Sequence, residues 1–267
     1  MPLQSIPLPR RYGPVNWLGL WTLYVREVRR FWKVGTQTIA APVVSALLLL
    51  AVFLLALGGA SQRFGDVDFL EFLAPGLIMM TMVQNAFVNT SSSLMISKVQ
   101  GNIVDTVMPP LSPGEQTFGF ALGGVTRGLV VGLAVALAVL PFTSLHVHDW
   151  AFVFFHAIAA SLMLSLIGII GGIWSEKFDQ LAALTNFVVT PLSFLSGTFY
   201  SVSRLPEGWQ IAAHLDPFFY MIDGFRYGFV GHADGSLSAG IWVLIVCNIG
   251  LWWLTHRMFA SGYKLKT

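Results

Sequence analysis

The sequence predicts an all-α membrane protein that forms a single domain over residues 1–267. Hydrophobic residues make up 55% of the chain and charged residues only 10%, whereas soluble domains carry about 25% charged residues. The mean hydropathy of +0.70 indicates the same class. The apolar residues also form continuous runs of roughly the 20 residues that a membrane-crossing helix needs, without the alternation that marks a membrane β-barrel.

Six apolar runs predict six transmembrane helices. The runs contain almost no Asp, Glu, Lys or Arg, although the third includes Arg127. The predicted helices cover residues 36–58, 72–96, 117–140, 151–174, 181–200 and 238–257.

The Lys and Arg residues predict which way these helices run, because such residues accumulate in cytoplasmic loops. Most of them precede the first predicted helix, follow the last, or lie in the loops after the second and fourth helices. Arg63, Arg204 and Arg226 fall on the opposite side. We therefore expect both termini in the cytoplasm, as an even number of crossings requires.

Residues 14–33 are too charged to cross a membrane, and their helical pattern is amphipathic. One face holds Trp17, Leu20, Trp21, Tyr24, Val28, Phe31 and Trp32. The other face holds Thr22, Arg26, Arg29, Arg30 and Lys33. A Trp-rich apolar face opposite a cationic one is typical of a helix in the membrane interface beside anionic headgroups. Such a helix acts either as a topology anchor or as a lever that moves with the bundle.

Residues 98–114, between the second and third predicted helices, are expected to contain a short helix. Ile103, Val104 and Val107 have the spacing of one apolar face. The prolines that begin at Pro109 end this helix, because proline does not continue a helix and stiffens the turn. The segment is either a tight cytoplasmic turn or a docking surface for a soluble partner.

Residues 204–232, between the fifth and sixth predicted helices, are aromatic and charged, and they contain no piece long enough to cross a membrane. Pro206 suits the first turn of one short helix. Asp216 is expected to cap a second short helix, with Pro217 at its first position. Because irregular backbone at membrane depth must be buried in protein or face water, the two helices predict an outer re-entrant hairpin. The alternative is an aromatic belt at the membrane interface.

A few polar side chains fall inside the apolar helices. A charge at the centre of a membrane helix costs about 2.5–3.5 kcal/mol on insertion scales, so Arg127 is expected to face protein or water. Asn85 and Asn89 share one face of the second predicted helix, where they line a path or bond to neighbouring helices. Asp223 and Arg226 lie three residues apart and are expected to pair on one helical face.

Glycines recur every four residues in the third predicted helix, at Gly124, Gly128 and Gly132. Small residues at this spacing allow membrane helices to pack closely. We therefore expect these glycines to serve close packing against a neighbouring helix.

Several kinds of chemistry are excluded by what the sequence lacks. It has no Gly-Lys pair, so it has no Walker A loop and no phosphate cradle of that type. HExxH and CxxC motifs are absent, and the single cysteine, Cys247, cannot form an intrachain disulfide. The formal charge of +2 is too small to indicate nucleic acid as a partner. We expect no enzymatic activity on this chain.

Three stretches, in order along nearly the whole chain, carry a resemblance to a known family. They are "GNIVDTVMPPLSPGE", "ALGGVTRGLVVGL" and "PLSFLSGTFYSVSRLPEGWQIAAHLDPFFYMIDGFRYGFVG". Together they resemble the type-2 ABC transporter permeases, and among these the bacterial inner-membrane permeases. Family members often have Glu where this chain has Asp105, and Asn-Pro where it has Asp216-Pro217, which bears on partner choice and on the outer surface.

The resemblance implies a homodimer in the bacterial inner membrane with two ABC ATPase subunits, in contact with membrane lipid and with no nucleic acid. ATP and Mg would bind the ATPase, and no cofactor is expected on this chain. The residues expected to couple to the ATPase are Asn102, Ile103, Val104, Asp105, Val107, Glu176 and Lys177. The expected outer gate comprises Phe199, Tyr200, Leu205, Pro206, Asp216, Pro217, Asp223 and Arg226. Asn85, Asn89 and Arg127 are expected in the translocation path or the bundle core.

The expected function is that of an exporter permease, moving a polysaccharide, lipid or drug by alternating access. The alternative is an ATP-independent secondary transporter. Such transporters usually place acidic residues within their membrane helices, and the six apolar runs contain none. Nothing in the sequence selects one substrate.

Overall fold

The computed structural model describes residues 13–56, 63–64 and 67–265. This part of the chain is helical apart from two short strands, β1 (Arg63–Phe64) and β2 (Val67–Asp68), which pair antiparallel. The predicted all-α class is therefore confirmed. Arg10, Arg11, Lys266 and the end of the predicted helix 36–58 lie outside the described residues.

The helices follow the predicted order. They are α1 (Trp17–Lys33), α2 (Ala41–Ala56), α3 (Phe69–Val99), α4 (Ile103–Val107), α5 (Pro113–Val139), α6 (Trp150–Trp174), α7 (Phe178–Leu184), α8 (Thr190–Leu195), α9 (Glu207–His214), α10 (Pro217–Val230) and α11 (Leu237–Ser261). A π-helical turn, Thr36–Ala40, leads into α2, and a second one, Thr185–Val189, joins α7 to α8. A 3₁₀ turn, Val202–Arg204, precedes α9.

Among the described residues, five helical stretches are long and apolar enough to cross a membrane. They are Thr36–Leu55, Phe69–Val99, Pro113–Val139, Trp150–Trp174 and Leu237–Ser261. The predicted helix 181–200 corresponds to α7, the π-helical turn and α8, and it is not one of the five. It ends at Leu195, since Gly197 adopts a φ of 77°, which is left-handed and incompatible with a continuing helix. The count of six crossings remains a prediction.

Helices α3, α5 and α6 form the centre of the bundle and pack through small residues. A Cβ atom added to Gly128 would lie 3.0 Å from the carbonyl oxygen of Met82, and one added to Gly168 would lie 2.5 Å from that of Phe87. These short distances leave no room for a side chain at either glycine. The backbones of α5 and α6 therefore pack directly against α3 at these two positions. The close packing predicted for the glycines of α5 is confirmed.

Helices α2 and α11 lie at the periphery. Little of either helix is buried: 17% of an 18-residue apolar stretch of Thr36–Leu55, and 11% of such a stretch of α11. Their exposed side chains are large and apolar, as Leu48, Val52 and Trp242 illustrate. Such surfaces suit lipid or a second subunit rather than water.

Helix α1 packs along α5 through a buried stripe that differs from the predicted apolar face. The stripe consists of Leu20, Leu23, Glu27 and Phe31. The indole rings of Trp17, Trp21 and Trp32 lie beside it and are exposed. The predicted apolar face is therefore divided: Leu20 and Phe31 pack against the bundle, and the tryptophans point away from it. The position of α1 in the membrane interface stays a prediction.

Candidate functional site

Helix α4 stands at the end of the bundle where α3 ends and α5 begins. Gly101, with a φ of 72°, turns the chain out of α3. Ile103 is buried in a cluster with Leu23 and Phe120, whereas Val104 is 51% exposed. Successive residues of a helix point about 100° apart, and here Ile103 points into the bundle while Val104 points away from it. The apolar face predicted for Ile103, Val104 and Val107 is wrong in this respect.

The side of α4 that faces away from the bundle consists of Val104, Asp105 and Met108, which we call the coupling patch. Val104 and Met108 are apolar and exposed, Met108 by 78%. Asp105 is an exposed acidic residue between them. Asn102 precedes α4, is exposed, and makes no side-chain cap hydrogen bond. The backbone of Val107 belongs to α4, and its side chain lies outside the described residues.

The inner side of α4 is tied to α1 and α3 through a buried carboxylate. Arg26 Nη1 donates to Thr106 Oγ1 at 3.0 Å, and Arg26 Nη2 donates to Glu27 Oε1 at 3.1 Å. Ser93 Oγ of α3 donates to the same oxygen of Glu27 at 2.8 Å. Glu27 is 0% exposed. Three helices thus meet at one acidic side chain.

Arg30 extends this arrangement further along α3. Its Nη2 lies 3.4 Å from Glu27 Oε2 and donates to the Asn89 backbone oxygen at 2.5 Å and to Asn89 Oδ1 at 3.0 Å. Its Nη1 donates to Ser92 Oγ at 3.1 Å. The sequence analysis did not identify Glu27. The sequence feature that could have identified it is its spacing: Glu27 lies four residues from both Leu23 and Phe31, and so on the same helical stripe.

Asn85 and Asn89 each meet an arginine from another helix. Asn85 Oδ1 accepts a hydrogen bond of 3.1 Å from Arg127 Nη2 of α5, as Asn89 does from Arg30. Asn89 is completely buried, and Asn85 is half-buried. The three residues predicted for the path or the core therefore lie together along the α3 side that meets α1 and α5.

The loop after α4 is held by Glu115 at the start of α5. Glu115 and Ser112 form a capping box, and Glu115 Oε1 also accepts a 2.5 Å hydrogen bond from the Asn16 backbone N–H. The side chain of Asn16 in turn donates to the Pro110 carbonyl at 3.2 Å. The start of α1 and the proline turn are fixed to one another by these bonds.

Glu176 and Lys177 follow α6 and do not contact the coupling patch. Glu176 Oε1 lies 2.8 Å from Lys264 Nζ near the C-terminus. Hydrogen bonding to Lys264, and its charge, lower the pKa of Glu176. Lys177 is exposed, at the N-cap position of α7, without a side-chain cap bond. Lys98 at the end of α3 donates to the Ser175 carbonyl at 2.5 Å, which brings this turn to the α4 end of the bundle.

At the opposite end of the bundle, Asp216 caps α10 as predicted. Its Oδ1 accepts from the Phe218 N–H at 2.9 Å, and its Oδ2 accepts from Ser196 Oγ at 2.8 Å. Burial raises the pKa of Asp216. Pro217 occupies the first helical position, also as predicted. Pro206, by contrast, stands at the N-cap of α9 rather than inside it.

Asp223 and Arg226 do not form the predicted ion pair. Asp223 accepts from the backbone N–H groups of Asp234 and Gly235, at 2.8 and 3.0 Å. Arg226 is 3% exposed. Each of the two side chains instead forms hydrogen bonds with backbone groups of other chain segments that pack against α10.

The partners of Arg226 are carbonyl oxygens at the ends of other segments. Its guanidinium donates to Phe72 at 3.1 Å, to Gly197 at 2.7 Å and to Thr198 at 3.3 Å. The same group lies 3.8 Å from the centroid of the Phe72 ring. Arg226 thereby joins α10 to the start of α3 and to the turn after α8.

The aromatic and apolar residues predicted for the gate surround this turn. Phe199 stacks on Phe53 and Phe194, each at 5.4 Å between ring centroids. Tyr200 Oη donates to the Leu195 carbonyl at 2.8 Å. Leu205 packs against the small cluster of Val202, Ala213 and Phe219. In contrast, α9 exposes Trp209, Ile211 and Leu215.

Comparison with known proteins shows the family to which this chain belongs. A sequence model of the ABC-2 type transporter family matches residues 19–230. The chain therefore belongs to the ABC-2 type transporter family, and it is the permease subunit of an ABC transporter. Permeases of this family pair with ATP-binding subunits and have no ATPase activity themselves.

Two individual proteins with similar sequences come from bacteria. The inner membrane transport permease YadH of Escherichia coli (strain K12) is 35% identical over 254 residues, which cover 94% of this chain and 98% of the relative. Nodulation protein J of Rhizobium leguminosarum bv. viciae is 25% identical over 244 residues, covering 88% of this chain and 90% of the relative. The predicted resemblance is confirmed, and the chain is a multi-pass inner-membrane protein.

Proposed function

We propose that two copies of this chain form an exporter with two ATP-binding subunits, and that the coupling patch is the surface on which each ATP-binding subunit docks. In this proposal each copy crosses the membrane six times, with α7 and α8 providing the sixth crossing. Both termini lie in the cytoplasm. The cargo is a polysaccharide, a lipid or a drug-like molecule, moved outward by alternating access.

The observation that carries the proposal is the contrast between the two sides of α4. One side, the coupling patch, exposes two apolar side chains that nothing in the described chain covers. The other side is anchored by buried Ile103 and by Thr106, which Arg26 ties to Glu27. An exposed apolar surface on a rigidly held helix suits a partner protein. A displacement of α4 by a bound partner would be transmitted to α1 and α3 through these hydrogen bonds, because they connect the three helices directly.

The opposite end of the bundle supports a gate on the outer side. Helix α10 is largely buried, whereas α9 is exposed, and the two meet at Asp216. The joint is held by side-chain bonds from Asp216, Asp223 and Arg226 to nearby chain segments. We infer a re-entrant hairpin that opens and closes the path as one piece.

A docking test follows from the coupling patch. A tagged chain is expressed in its native host, and an ATP-binding subunit is recovered with it and identified by its Walker A sequence. Val104→Glu places a charge on the patch without touching the buried side of α4, so we expect at least tenfold less ATP-binding subunit in the complex. The estimate treats loss of one interface contact as roughly 1.4 kcal/mol or more.

The matched control is Leu215→Glu, which introduces the same charge at the 80% exposed C-cap of α9, at the other end of the bundle. Its complex should form in normal yield. Equal recovery with both variants would remove α4 from docking. ATP-independent transport by the purified chain in vesicles would instead favour a secondary transporter.

A further inference from the structure

A cavity of about 780 Å³ opens between α1, α2, α3 and α5. Arg30 and Arg127 both line it, together with the amide side chains of Gln37 and Gln84. Its α2 wall is apolar and includes Ala46 and Leu49. We call this space the cationic cavity. Its size is in the range that holds a ligand, since ligand pockets measure about 300–1,000 Å³.

The positive charge of the cationic cavity is not balanced by the described residues. Arg127 makes one side-chain hydrogen bond, to the neutral Asn85, and its Nε is buried without a partner. Glu27 is the carboxylate within ion-pair distance of Arg30, and Arg127 has no such partner in the part of the chain that the structure describes. Arg30 Nε is also buried without a partner. Glu27 is paired with Arg26 as well, so Arg30 has only a shared carboxylate and Arg127 has none among the described residues.

An unbalanced cation within a membrane helix is costly. Arg127 lies in the middle of α5, Pro113–Val139, where a charge is strongly unfavourable. An anion in the cationic cavity offsets this cost. A phosphate group fits the available donors best, because it offers several oxygens and as many as two negative charges to planar guanidinium groups.

We propose that the cationic cavity binds the phosphate group of a lipid-like amphiphile, with Arg127 and Arg30 contacting the phosphate and the α2 wall contacting the apolar chain. The amides of Gln37 and Gln84 add neutral donors beside the charge. The inference rests on the proposed function in that it gives the class of molecule bound by the same permease. An anionic amphiphile can reach this site sideways from the lipid that surrounds exposed α2.

Binding is tested with the purified full-length chain in a neutral detergent. The probes are short-chain phosphatidic acid, the diglyceride with the same acyl chains, and inorganic phosphate. We expect phosphatidic acid to bind at least about tenfold more tightly than either other probe, since it alone combines a charged phosphate that accepts hydrogen bonds with apolar chains. Arg127→Gln should weaken phosphatidic acid binding by roughly tenfold and leave the diglyceride unchanged.

The control is Arg257→Gln, which removes one positive charge from α11 at a position where the guanidinium lies 5.5 Å from the Trp253 ring centroid, outside the cationic cavity. It should bind phosphatidic acid as the parent chain does. Leu49→Trp fills the apolar wall without altering a charge, and it should also weaken binding. This variant keeps the test decisive if Arg127→Gln is not recovered as a monodisperse protein.

Three results would overturn the proposal. They are equal affinity for phosphatidic acid and diglyceride, equal weakening by Arg127→Gln and Arg257→Gln, and inorganic phosphate binding as tightly as phosphatidic acid. The last result would leave a free-anion site in place of an amphiphile site. No ATP-binding subunit is present in this experiment. A failure here therefore leaves docking at the coupling patch unaffected, and a failure of docking leaves this binding unaffected.

Discussion

Glu27 is a charged side chain with no exposure at all, held by Arg26, Arg30 and Ser93. Burying a carboxylate is unfavourable unless it is paired and hydrogen-bonded. Here Oε1 accepts two hydrogen bonds, whereas Oε2 lies 3.4 Å from Arg30 without a hydrogen bond. The pairing also makes the site fragile, because the loss of one partner leaves buried charges without compensation. Glu27 therefore links the fold of α1 to the position of α4.

Replacing Glu27 by Gln tests this link. Glu27→Gln keeps the shape but removes the charge, so Arg30 loses its carboxylate and the chain should be destabilised by about 3 kcal/mol. The estimate takes the low end of the range because Arg26 is 43% exposed and can turn toward water. The measurement is the thermal unfolding midpoint in detergent. Glu176→Gln, which breaks the exposed pair with Lys264, should hardly change it.

The Asp216 side chain accepts two hydrogen bonds, one that caps α10 and one from Ser196. Asp216→Ala removes the cap of α10 and the bond to Ser196, and should cost about 1 kcal/mol for the cap alone. Asp216→Asn keeps an oxygen at the cap and should retain most of the stability. Protease accessibility of the α9–α10 joint, compared between the two variants, measures the effect. Equal protection of both variants would show that the cap does not hold this joint.

Among the single helices, α10 is held by two separate sets of hydrogen bonds. Asp223 holds the chain that leads into α11, through Asp234 and Gly235. Arg226 holds the turn after α8 and the start of α3. Because these sets have no common atom, they constrain α10 from two sides.

A double-mutant cycle distinguishes this arrangement from a direct ion pair. Asp223→Asn and Arg226→Gln should each lower the unfolding midpoint, because each breaks its own hydrogen bonds to the backbone. The coupling free energy between them should be small, about 0.5 kcal/mol, because the two charges attract each other but share no hydrogen bond. An ion pair would give a clearly smaller combined effect. Substantial non-additivity would therefore mean that the two charges depend on each other after all.

The sequence predicted the helices and caps that depend on local features, and it missed what depends on neighbours. Asp216-Pro217 marked the start of α10, and the long apolar runs marked α3, α5 and α6, because caps and continuous apolar runs are read within one segment. Helix α1 has two candidate apolar stripes, and only packing against α5 decides which one is buried. For the same reason the buried position of Glu27 and the outward position of Val104 were not predictable.

For the whole molecule, the distribution of Lys and Arg predicts that α4 lies in the cytoplasm and α9 outside. Glu207→Cys and Ser112→Cys, each in a Cys247→Ser background, place single thiols at exposed positions on these two sides. An impermeant thiol reagent added to intact spheroplasts should label residue 207 and not residue 112. After lysis both should react, which controls for accessibility. The reverse pattern in intact cells would invert the predicted orientation.

The glycine contacts among α3, α5 and α6 have a consequence for where the permease can bend. Gly128 and Gly168 bring neighbouring helices so close that sliding of α3, α5 and α6 past one another is sterically opposed. The two π-helical turns, Thr36–Ala40 and Thr185–Val189, interrupt helices outside this group of three. Wide turns of this kind are weak points in the helical hydrogen-bond pattern and occur often at functional sites. They stand at the start of α2 and of α8, so any bending of these two helices that leaves the centre unchanged would be absorbed at Thr36–Ala40 and Thr185–Val189.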